Sequence, residues 1–192
     1  MLTIYDMKRI FDICLAVCAL LILGAPMLII ALAVRLTSRG PVLYWSDRVG
    51  LANAIFKMPK FRTMRADTPA VATHLLTDPD SFITPVGKFL RKSSLDELPQ
   101  LFSILNGDMS FVGPRPALFN QGDLVKLRTS VGVHTITPGL TGWAQVNGRD
   151  ELPIPVKVDF DEYYLKNHSI GFDLKILFIT AFHALAGKGV KH

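Results

Sequence analysis

From Ile13 to Val34 the chain carries no charged side chain. At about 1.5 Å per residue, a helix of that length crosses a hydrocarbon core of roughly 30 Å. Nothing else in the sequence constrains the fold so strongly, because such a segment must satisfy its backbone internally and rest its surface on lipid or protein. A cleavable leader is disfavoured: Asp6 and Asp12 precede the run, and no small-x-small site closes it. Lys8 and Arg9 flank one end; Arg35, Arg39 and Arg48 flank the other. Lysine and arginine collect on the cytoplasmic side, so both ends are drawn to the same face. Gly24-Ala25-Pro26 sits near the middle, where proline removes a backbone donor and kinks a helix. Two arrangements satisfy these residues. One is a kinked transmembrane helix; the other turns at Pro26 and leaves by the face it entered.

The full 192 residues suffice for one globular domain beside such an anchor. A net charge of +5 and a pI near 9.3 favour an anionic partner, though a solvated basic surface explains them equally well. Cys14 and Cys18 lie one helical turn apart inside the apolar run, which indicates packing rather than a disulfide framework.

Past the anchor, Val42 to Trp45 reads as a short strand. Ile55 to Thr63 reads as another, and Pro59 confines it to an edge. In an extended chain Lys60 and Arg62 share a face. Residues 66–81 read as a loop, and 86–92 as a helix. Leu98 to Leu105 is a helical stretch with an apolar stripe of Leu98, Leu101, Phe102 and Leu105, stopped by Asn106-Gly107. Pro138 to Gly142 and Asn147-Gly148-Arg149 read as turns around a strand, Trp143 to Val146. Val158 to Lys166 and Asp173 to Leu185 read as helices. The latter has an apolar face that suits either the core or a membrane surface.

Chemistry concentrates between Arg91 and Pro116. Ser94-Leu95-Asp96-Glu97 fits a capping box, in which Glu97 only satisfies backbone amides. The same residues fit phosphate chemistry. An ionised aspartate can attack phosphorus and form an acyl phosphate. Its neighbour can hold Mg²⁺, which offsets repulsion between an anionic nucleophile and an anionic diphosphate. Arg91 and Arg115 can bind phosphoryl oxygens bidentately, and the prolines around Arg115 restrict its backbone. Asp108 lies close by in sequence but reads first as part of a turn. Other mechanisms find no footing: there is neither a GxxxxGK[ST] loop nor a GxGxxG. The five histidines, His74, His134, His168, His183 and His192, have no zinc spacing.

The order of these motifs resembles a known family along nearly the whole chain. The matching segments are Lys8-Arg9-x-x-Asp12, Arg48-Val49-Gly50, Phe56 to Met64, Gly87 to Arg91, Ser94 to Leu101, Gly107 to Pro116 and Pro138 to Arg149. The chain resembles the bacterial sugar transferases, in the small monotopic form of the polyprenyl-phosphate phosphoglycosyl-1-transferases. Two departures are visible: Ala25 stands where many members have serine before the helix-breaking proline, and Thr137 where many have arginine or lysine.

The resemblance implies a mixed α/β fold, helix-rich with a small sheet. It implies a re-entrant helix over residues 1–36, hinged at Pro26 with its N-terminus cytoplasmic, and a catalytic domain over 37–192 carrying amphipathic helices on the membrane surface. The expected location is the cytoplasmic face of a bacterial inner membrane. The expected reaction moves a phospho-sugar from a UDP-sugar to polyprenyl (undecaprenyl) phosphate and releases UMP. Asp96 would be the nucleophile, and Asp96 and Glu97 would hold Mg²⁺, Glu97 also managing a proton. Lys60, Arg62, Arg91 and Arg115 would contact phosphate or order the site. Membrane lipid is an expected partner and nucleic acid is not; a homodimer stays open. Two alternatives remain from the residues themselves, a metal-dependent phosphohydrolase at the membrane and a basic membrane adaptor without catalysis. The sugar is not legible.

Overall fold

The computed structural model describes residues 4–68, 79–148 and 152–186. Most of the expected 66–81 loop, together with Arg149, His74 and His192, lies outside those residues. The apolar run forms the middle of α1, Ile4–Thr37, with Pro26 inside it. Asp12, Ala16, Met27 and Val34 are buried, and between them Leu20, Leu23 and Ile30 pack against the core. These positions recur every three or four residues, so they form one helical face. On the opposite face Leu21, Ile22, Leu28 and Ile29 are each at least 69% exposed. Cys14 and Cys18 are both exposed and free.

Strands β1, Leu43–Val49, and β2, Ile55–Phe61, form an antiparallel hairpin with Leu43 opposite Phe61 and Val49 opposite Ile55. Pro59 faces Trp45 in this two-stranded sheet, where each strand is an edge and the missing amide is tolerated. A short helix α2, Pro79–Phe82, leads to α3, Pro85–Ser93, whose amide Gly87 N donates to the Thr84 hydroxyl at the N-cap. Next come a 3-10 turn, Leu95–Glu97, and α4, Gln100–Asn106. Gly107 ends α4 at φ +93, a left-handed conformation that glycine adopts without a Cβ penalty. The expected stripe on α4 divides: Leu101 enters the core with Ile104, whereas Phe102 is half exposed.

The rest of the chain comprises β3, Ser110–Val112, α5, Gly122–Ser130, β4, Gly139–Thr141, α6, Trp143–Val146, α7, Ile154–Asn167, and α8, Ile170–Leu185. Two expectations are corrected here. Trp143 to Val146 is a turn of helix, not a strand, and the strand lies just before it in the glycine-rich stretch expected to be a turn. The reason is a long-range pairing. β4 runs parallel to β3, with Ser110 opposite Gly139 and Val112 opposite Thr141. A Cβ on Gly139 would lie 2.1 Å from Gly113 N, so only glycine permits this approach.

Both ends of α1 are keyed to this body. Arg9 donates to Ile104 O at 2.5 Å and Leu105 O at 2.6 Å, satisfying carbonyls at the end of α4. Asp12 accepts from Phe111 N at 3.0 Å, and Lys8 pairs with buried Asp173 at 2.5 Å. At the far end Arg62 donates to Ser38 O at 2.8 Å and Arg39 O at 2.6 Å. The helix-rich body is one compact domain that shares its hydrophobic core with α1.

Candidate active site

The turn bearing Asp96 and Glu97 is set up by Ser94. Its backbone is left-handed, at φ +57 and ψ +17, and its amide donates to Arg91 O at 3.1 Å. That conformation costs a residue with a Cβ roughly 1–2 kcal/mol, and here it swings the chain from α3 into the 3-10 turn. Ser94 makes no side-chain cap, so the capping box expected as the bland alternative is absent. Glu97 is engaged elsewhere.

Glu97 Oε1 accepts from Lys60 Nζ at 2.7 Å and from Arg115 Nη2 at 2.8 Å. Lys60 comes from β2, Arg115 from the loop after β3, and Glu97 from the turn between α3 and α4. Three remote segments therefore meet at one carboxylate. Burial pushes the Glu97 carboxyl up, but the charges and hydrogen bonds of Arg115 and Lys60 outweigh it and hold the group well below the usual carboxylate range. Glu97 is thus an ionised acceptor near neutrality and a poor proton carrier. Asp96, its neighbour on the turn, is only 8% exposed.

Arg91 sits in the last turn of α3, and its Nε donates to Thr63 Oγ1 at 2.9 Å. Thr63 also accepts at its carbonyl from Thr84 N at 3.0 Å, so one buried residue past β2 both anchors α3 and aims Arg91. Sequence reasoning did not single out Thr63; a threonine within Lys60-Phe61-Arg62-Thr63 offers no local signal. Arg62 is not brought into the cluster. Its guanidinium ties the segment after α1 to the end of β2, and its side chain is buried there. Lys60 and Arg62 therefore serve different neighbours.

Among the described residues no group of three or more histidine, cysteine or acidic side chains could hold a metal ion. Asp108 is exposed in the turn after α4. Among the described residues, the carboxylates on the turn at the cationic cluster are Glu97, which binds Lys60 and Arg115, and its sequence neighbour Asp96. That donor set fits a Mg²⁺ ion bound through one or two carboxylates and completed by substrate phosphate and water, rather than a dedicated protein cage.

Paired carboxylates, a lysine and a guanidinium meeting at one turn, on a body keyed to a helix of membrane length, are the groups that phosphoryl transfer near a bilayer uses. The chain belongs to the bacterial sugar transferase family, whose model matches residues 4–187. It is 39% identical over 189 residues to the UDP-glucose:undecaprenyl-phosphate glucose-1-phosphate transferase of Escherichia coli, covering 95% of this chain and 41% of that protein. It is 38% identical over 190 residues to the UDP-N-acetylgalactosamine-undecaprenyl-phosphate N-acetylgalactosaminephosphotransferase of Aeromonas hydrophila, covering 96% and 45%. Against the uncharacterized sugar transferase EpsL of Bacillus subtilis it is 38% identical over 187 residues, covering 96% of this chain and 90% of EpsL. The chain thus spans less than half of the first two relatives and nearly all of the third.

Proposed function

We propose that this protein transfers a phospho-sugar from a UDP-sugar to polyprenyl phosphate at the membrane, through a covalent aspartyl intermediate. The observation that carries the reading is the convergence of Lys60 and Arg115 on Glu97, directly beside buried Asp96. An Asp96 oxygen attacks the β-phosphorus of the UDP-sugar. The bond from that phosphorus to the bridging oxygen breaks, and UMP leaves. An oxygen of polyprenyl phosphate then attacks the same phosphorus, releasing the carboxylate and yielding polyprenyl-diphospho-sugar. Lys60 and Arg115 make the potential around the diphosphate more positive and so stabilise its charge, and Glu97 keeps the two cations in register. Arg91, aimed by Thr63, reaches a phosphoryl oxygen. When bound, Mg²⁺ held by Asp96 and Glu97 would neutralise diphosphate charge and ease departure of UMP.

The membrane arrangement in this reading is re-entrant, hinged at Pro26, with the body on the cytoplasmic face. Cationic residues at both ends of α1 and their attachment to one body support it. Leu174, Phe178 and Phe182 face outward along α8 at intervals of four residues and are each at least 51% exposed, which supports seating α8 on the bilayer surface. The names of the relatives support a lipid-phosphate acceptor, and their differing sugars leave the donor to experiment.

The test is nucleotide release from a panel of UDP-sugars with Mg²⁺, with and without undecaprenyl phosphate. UMP release that stops near one equivalent per enzyme without the lipid and turns over repeatedly with it supports the reading and identifies the sugar. UDP release contradicts it, repeated turnover without lipid favours the phosphohydrolase, and no release from any donor favours the adaptor.

A further inference from the structure

The segment Pro114-Arg115-Pro116 has no amide N–H at two of its three positions. It is held by its carbonyls instead. Pro114 O accepts from Gly139 N at 2.9 Å, and Ala117 O from Val49 N at 2.9 Å. Between them, Arg115 O accepts from Arg128 Nη1 at 2.8 Å and Pro116 O from Arg48 Nη1 at 3.2 Å. The four carbonyls from 114 to 117 thus run to three parts of the molecule: β4, α5 and, for the last two, the end of β1.

The Arg128 tether is the most specialised. Arg128 on α5 is 8% exposed, and its Nε and Nη2 both bind Asp161 Oδ2, at 2.9 and 2.6 Å. Asp161 on α7 is 1% exposed. A guanidinium is a rigid planar fork, so fixing two nitrogens on Asp161 fixes the direction of the third. That third nitrogen meets the carbonyl of the residue whose side chain clamps Glu97. A buried ion pair is by itself weak support for stability, because desolvation offsets its attraction. Its geometry here directs the pair to the clamp.

We propose that Arg128, seated by Asp161, is a positioning residue for the site: it sets the backbone of Arg115 so that the guanidinium meets both Glu97 and the substrate diphosphate. The proposal rests on the phospho-sugar transfer reading. Three variants test it. Arg128→Lys keeps the pair with Asp161 but cannot also bridge to Arg115 O. The double variant Arg128→Met/Asp161→Leu removes both buried charges together, which avoids stranding one of them. Arg115→Ala supplies the second arm of a double-mutant cycle.

Amide hydrogen exchange across residues 113–118 of the unliganded protein should accelerate at least tenfold in Arg128→Lys, with α7 unchanged. UMP release should fall tenfold or more in kcat/KM. In the Arg115→Ala background the same Arg128 substitution should change kcat/KM less than twofold. If Arg128→Lys does not fold, the double variant is read by the same criteria. Unchanged exchange at 113–118 overturns the proposal, and so does a full additive loss in the Arg115→Ala background. An unmodified protein inert toward every UDP-sugar contradicts the transfer reading alone, and the exchange result still decides whether Arg128 holds the clamp.

Discussion

Glu97 is ionised because two cations reach it, and that decides its chemistry. A carboxylate held low by Lys60 and Arg115 suits electrostatic organisation better than proton transfer near neutrality. Replacing it by glutamine weakens two charge-assisted bonds and removes the negative charge that Lys60 and Arg115 share. Glu97→Gln should therefore lower stability by about 1–3 kcal/mol in a denaturant titration. The sign of the pH dependence follows. The folded carboxyl titrates below its ordinary value of 4.5, so the stabilisation is complete above that pH and fades as the pH falls toward the depressed folded value. The stability gap between the natural protein and Glu97→Gln should be level from pH 5 upward and narrow below pH 4.5. A gap that narrows instead between pH 6 and 8 would contradict the clamp. Asp96→Asn, by contrast, should keep the fold and cut UMP release by about 10³-fold or more, because it removes the proposed nucleophile. At this scale the sequence named Lys60, Glu97 and Arg115, which meet. Arg62 it placed with them by strand alternation, but the segment after α1 offers it two carbonyls instead.

Local elements were legible where the signal was local. The helix read over 86–92 forms as Pro85–Ser93, Asn106-Gly107 ends its helix where expected, and Pro59 sits in a two-stranded edge sheet. The failures share one cause, a partner distant in the chain. Glycine at 139 and 142 reads as a turn, yet β4 exists because β3 lies against its bare backbone. Ser94 and Glu97 read as a capping box, yet Glu97 is drawn away by cations from two other segments. The close approach of β4 makes a direct prediction. Gly139→Ala sets a methyl 2.1 Å from Gly113 N and should destabilise the protein by about 3 kcal/mol, measured by thermal or denaturant unfolding. A neutral effect would mean that the β3–β4 pairing is not tight.

For the molecule as a whole, the sequence shows that residues 13–34 want an apolar environment, but not that one face of α1 belongs to the catalytic core. Ala16, Met27 and Val34 are buried, and polar ties run from Lys8, Arg9 and Asp12 into the body. Removing residues 1–36 should therefore give a chain that aggregates or lacks a cooperative transition, rather than a soluble active domain; a folded, active truncation would contradict the shared core. The central claim is covalent transfer through Asp96, and mass spectrometry tests it most directly. The detergent-purified protein would be incubated with a panel of UDP-sugars and Mg²⁺ without lipid, then digested. The account predicts a sugar-phosphate adduct on the peptide carrying Asp96, absent from Asp96→Asn and discharged by undecaprenyl phosphate. Lipid-dependent UMP release with no such adduct at any time point would mean direct transfer and would contradict it.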